Sequence, residues 1–94
     1  MQTFVMFGTY NPEAIKGVSG ARTKKAAELV KKCGGELKSI HALLGKPDLL
    51  IVAEFPDCRS AVKASLGLAR ATGIAFRTSA ALSVEEFDKL AGEA

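Results

Sequence analysis

The 94-residue sequence has no tryptophan, one tyrosine and five phenylalanines, so its core must be built from Ala, Val, Leu and Ile. Two cysteines, Cys33 and Cys58, are too few for a disulfide framework. No apolar run approaches the ~20 residues that cross a bilayer. The opening apolar stretch Met1–Phe7 lacks the basic lead-in of a secretory leader. These absences predict a cytoplasmic protein with reduced thiols and no membrane contact. One histidine, two scattered cysteines and no ligand-spaced pair fall short of a zinc signature, so no metal is expected. Gly8, Gly17 and Gly20 do not have the spacing of a phosphate-binding fingerprint, and no Walker sequence exists, so no cofactor is expected either. Neither charge dominates: 13 basic residues against 10 acidic give a net +3, well below the concentrated charge of a nucleic-acid binder. Lys24, Lys25, Lys31 and Lys32 read as one solvated helix face with Glu28 as counterion.

What is present is well punctuated. An apolar share of 48% and 24% charged residues suit a globular chain, and the length suits one domain, residues 1–94. Thr3–Thr9 is a β-prone run. Asn11-Pro12-Glu13 supplies an N-cap, a proline for the first helical position and a first-turn acid. Gly17 and Gly20 predict one helical turn, a break and a restart near Gly20, with Ala26, Leu29, Val30 and Cys33 recurring at helical spacing until Gly34-Gly35. Glu36–Leu44 and Leu49–Phe55 read as strands around a tight turn, Gly45–Asp48. Asp57 caps a helix running to about Ala71, with Cys58, Ala61, Val62, Ser65, Leu68 and Ala69 on one face, and Gly73 ends it. Ile74–Leu82 is a fourth strand. Ser83-Val84-Glu85-Glu86 matches a capping box, opening a short helix with Val84, Phe87 and Leu90 turned inward.

The order β-α-β-β-α-β-α predicts an α+β fold: a ferredoxin-like βαββαβ sandwich, with a four-stranded antiparallel sheet, two helices on one face and an extra C-terminal helix. A hairpin without a bulge pairs Leu44 with Leu49 and His41 with Val52. Leu44, Ala42, Ile40, Leu49, Ile51, Ala53 and Phe55 then form the helix-packed face. The other face carries Leu43, His41, Ser39, Leu50, Val52 and Glu54. Strand one is also apolar on both sides. Strands apolar on both faces imply cover on both, which predicts a homodimer through the second sheet face.

From Thr3-Phe4-Val5-Met6-Phe7-Gly8-Thr9-Tyr10-Asn11-Pro12 through Gly34-Gly35, Lys38-Ser39, Leu44-Gly45-Lys46-Pro47-Asp48 and Pro56-Asp57 to Glu85-Glu86-Phe87, the chain resembles the GYD domain family. That family is named for a Gly-x-Tyr-Asp turn. Gly45 and Asp48 match it, and Pro47 stands where the Tyr would be. The resemblance implies a ferredoxin-like domain of the dimeric α/β-barrel kind. It carries no catalytic residue with it, the family being one of unknown function.

Pocket candidates come from the second face: His41, Ser39 and Glu54, joined by Arg77 and Ser79 if Phe76 points to the core. Glu54 lies diagonal to His41 in the bulge-free register, roughly 7 Å away. The favoured reading is a homodimeric module that binds or interacts without chemistry, possible ligands being small molecules. The alternative is a small cofactor-independent enzyme of monooxygenase or isomerase type, in which His41 and Glu54 handle protons and Arg77 holds an anionic substrate. Phe4, Phe7 and Phe55 do not form the aromatic pattern of RNA-binding sheets. Cys33 and Cys58 fall at one edge of this topology. Helix axes ~8–10 Å apart against the ~7 Å Cα limit of a disulfide predict unbonded neighbours, each a small core residue.

Overall fold

A computed structural model describes all residues, 1–94. The elements are β1 (Gln2–Thr9), α1 (Pro12–Lys16), α2 (Gly20–Lys32), β2 (Glu36–Ala42), β3 (Leu49–Phe55), α3 (Cys58–Thr72), β4 (Ala75–Ala81) and α4 (Val84–Glu93). Local chemistry explains most boundaries. The Asn11 side chain accepts from the Ala14 N–H at 2.6 Å, with Pro12 at the start of α1. Gly17 ends that single turn, and Ser19 caps the restart by accepting from the Arg22 N–H. Asp57 caps α3 through the Ser60 N–H at 2.8 Å, and Gly73 closes it in the left-handed conformation, φ 74°.

The sheet is antiparallel throughout, in the order β2-β3-β1-β4. On its inner face Phe4, Met6, Ile51, Ala53 and Phe55 meet Val30 of α2 and Ala61, Ala64 and Leu68 of α3. The Phe4 and Phe55 rings meet edge to face at 5.8 Å. Small alanines on α3 let that helix lie close to the sheet, and Gly67 admits Leu29 of α2.

The hairpin departs from the expected register. Ala42, not Leu44, pairs with Leu49, and His41 faces Leu50. A bulge at Lys38 then adds one residue more to the offset, so that Leu37 meets Ala53 and Glu36 meets Glu54. An offset of two residues preserves which side each residue faces, so Ile40 still packs on the core. The connection is longer than a tight turn. Leu43 and Leu44 belong to it and are exposed, and Ala42 is exposed at its edge. Three further expectations are corrected. α4 buries none of its residues, so Val84, Phe87 and Leu90 face outward. Cys58 and Val62 are exposed, because the buried line of α3 runs through Ala61, Ala64 and Leu68. At the N-terminus of α4, Ser83 accepts from the Glu86 N–H, the one half of the capping box that forms.

Candidate functional site

The outer face of the sheet has no helix over it, and its registers arrange it in rows. One row reads His41, Leu50, Phe7, Arg77 from β2 to β4. The next reads Ser39, Val52, Val5, Ser79, and the last Glu36, Glu54, Thr3, Ala81. Phe76 packs on the core, which turns Arg77 and Ser79 outward as expected. The two central strands therefore carry an apolar spine of Leu50, Val52, Val5 and Phe7, half-buried by their neighbours alone. Polar side chains flank it on both edge strands.

All five expected site residues, His41, Ser39, Glu54, Arg77 and Ser79, lie on this face, but they do not converge. His41 and Arg77 share a row at opposite edges, roughly 14 Å apart by three strand spacings. The expected His41–Glu54 pair is overturned by the register: Glu54 lies four residues along β3 from Leu50, the partner of His41, about 13 Å at strand rise. Its neighbour is instead Lys38, with Nζ 3.9 Å from Glu54 and 3.6 Å from Glu36. The bulge thus drops a cation between two carboxylates that face each other across β2 and β3. His41 is exposed.

A hollow of about 430 Å³ opens at the end of the spine, between Phe7, Thr9, Lys46, Pro47, Ala75, Phe76 and Arg77. Its wall from the β2–β3 connection is held by Asp48. The Asp48 carboxylate accepts from the Tyr10 N–H at 2.9 Å, its own N–H donates to the Gly8 carbonyl at 2.9 Å, and its carbonyl accepts from the Leu43 N–H at 2.8 Å. The aspartate of the Gly45-x-x-Asp48 turn is therefore a clamp tying the connection to the end of β1. Pro47, in the tyrosine position, lines the hollow. The Arg77 guanidinium lies 5.9 Å from the centre of the Phe7 ring. Neither Arg77 nor Lys46 has an ion-pair partner; Lys38 makes both of the ion pairs in the chain. Two free cations beside an apolar wall suit a small anion with an apolar body. No group of three or more His, Cys, Asp or Glu side chains is placed to hold a metal ion.

Sequence reasoning found Arg77 and missed Lys46, Thr9 and Pro47. These come together only because Asp48 folds the connection onto β1, a contact between residues 38 apart in the chain.

The four-stranded antiparallel sheet with its helices is a ferredoxin-like α+β fold. The chain belongs to the GYD domain family, whose model matches residues 4–91. Among solved structures it is similar to the leucine response regulatory protein of Mycobacterium tuberculosis, with a TM-score of 0.58 and 10% identity over 87% of this chain and 51% of that one. The likeness is one of fold, and this chain spans about half the length of that protein. No curated protein matches the sequence.

Proposed function

We propose that the protein is a homodimeric binding module, in which a second copy covers the outer sheet face and a small anionic molecule seats in the hollow between Lys46 and Arg77. The uncovered spine Val5, Phe7, Leu50 and Val52 carries this reading. The surface area supports it. The chain exposes 6501 Å², against about 5,200 Å² for a folded monomer of its mass. The excess, shared between the open sheet face and the unpacked α4, leaves room for the ~800 Å² that each partner contributes to a standard interface. The spine is apolar, and an isologous contact places the same patch of each copy against the other.

The ligand reading rests on the hollow. Lys46 and Arg77 supply charge for a carboxylate, and Phe7, Pro47 and Phe76 supply an apolar wall. Sedimentation tests the dimer: the natural chain is expected at no less than twice its 9.9 kDa mass, and Val52→Lys at half the natural mass, since it places a charge on the centre of the contact. A natural chain that stays monomeric at high concentration overturns the reading. For the ligand, titration with benzoate followed by amide NMR is expected to move Phe7, Ala75 and Arg77, with Arg77→Gln weakening binding about tenfold through loss of a charge-assisted contact.

A further inference from the structure

The C-terminal helix and the helix layer carry opposite charge, and each presents an apolar surface with nothing on it. In α4, Val84, Phe87 and Leu90 are 73%, 62% and 52% exposed, and no residue of the helix is buried. The radius of gyration, 14.1 Å, exceeds the ~12 Å of a compact chain of this length, as an undocked helix requires. At about 100° per residue the stripe Val84, Phe87, Leu90 is flanked by Asp88 on one side and Glu86 on the other. The sole cation of the helix, Lys89, falls on the far side.

The matching surface is a groove of about 420 Å³ between α2 and α3. It is lined by Leu29, Leu66 and Gly67, with Leu29 packed against Gly67, and flanked by Lys32 on α2 and Lys63 and Arg70 on α3. None of these three cations has an ion-pair partner. Lengths agree too: Val84 to Leu90 spans about 9 Å of helix and Lys63 to Arg70 about 10 Å.

We infer that α4 of one copy docks into the α2–α3 groove of a second copy, its apolar stripe on Leu29 and Leu66 and its flanking carboxylates against the two basic rims. A second copy is the occupant because the helix complementary to the groove in shape, polarity and charge is part of this chain and is left unpacked within it. The contact is separate from the sheet-to-sheet one, on the opposite side of the molecule. Each is read by its own measurement, so either can fail alone.

Cys33 lines the same groove and provides the test. A Phe87→Cys, Cys58→Ser chain is oxidised mildly and run on a denaturing, non-reducing gel. Phe87 and Cys58 are both exposed, so neither change threatens the fold. A covalent pair at twice the chain mass is expected, and Cys33→Ser in the same background abolishes it. Reversing both rims with Lys32→Glu, Lys63→Glu and Arg70→Glu lowers the yield at least about tenfold through like-charge contact, and adding Glu86→Lys and Asp88→Lys restores it. Three results overturn the inference: a pair that forms without Cys33, a bridge closed within one chain at monomer mass, or no cross-link at all, whether or not the basic helices then retain a DNA duplex.

Discussion

Two aspartates show how single side chains set local structure here. Asp48 joins the hairpin connection to the end of β1 through its carboxylate and one backbone bond, closes the connection on Leu43 through a second, and so fixes a wall of the hollow. Asp57 caps α3, and the bond from the Ser60 N–H holds its carboxyl below the usual aspartate value of 3.8. The unfolded chain therefore binds this proton more readily than the folded one. The stabilisation is complete above 3.8 and is lost as pH falls through the lower, folded value. Asp57→Asn, which keeps the acceptor without the titration, is expected to flatten the acid limb of stability, measured by urea midpoints between pH 5 and 2. An unchanged limb would show that other carboxylates dominate acid unfolding.

At the scale of elements, the β2–β3 pair is governed by its bulge. Gly34-Gly35 brings α2 into β2, where the chain passes close to Phe55. A Cβ on Gly35 would stand 2.5 Å from two ring carbons of Phe55 and 2.7 Å from the Glu54 carbonyl oxygen. The carbonyl is backbone and cannot swing aside. Gly35→Ala is expected to destabilise by about 1–3 kcal/mol through overpacking, read as a lower thermal midpoint. A midpoint within a degree of the natural chain would mean that the end of β2 is looser than its packing shows. The hairpin slip separates Glu54 from His41, and the bulge then sets Lys38 beside Glu54.

For the whole molecule, the proposed dimer links stability to concentration. If folding and association are one transition, a tenfold rise in protein concentration adds about 1.4 kcal/mol, and the thermal midpoint rises with it. Val52→Lys should weaken that dependence while the inner core, which it does not touch, still folds. A midpoint independent of concentration for the natural chain would place the sheet contact outside the folding unit.

Much of this fold was legible because its signals are local. Asn11-Pro12, the Gly17–Gly20 break, Asp57, Gly73 and Ser83 each act within a few residues of themselves, and the period-two pattern of β3 separated inner from outer face. The choice of Leu49, Ile51, Ala53 and Phe55 for the core follows from it, whereas the burial of Phe4 and Met6 rather than Val5 and Phe7 was decided by the helices. Tertiary structure decided what depends on distant partners. A hairpin slip of two residues leaves Ser39 to Ala42 on their faces, so periodicity cannot detect it, and it alone separates His41 from Glu54. Helical spacing showed the apolar stripe of α4 but not what it meets, because amphipathicity defines a face and not its partner. The Lys46–Arg77 hollow required Asp48 to reach the end of β1, a closure across 38 residues that no local pattern encodes.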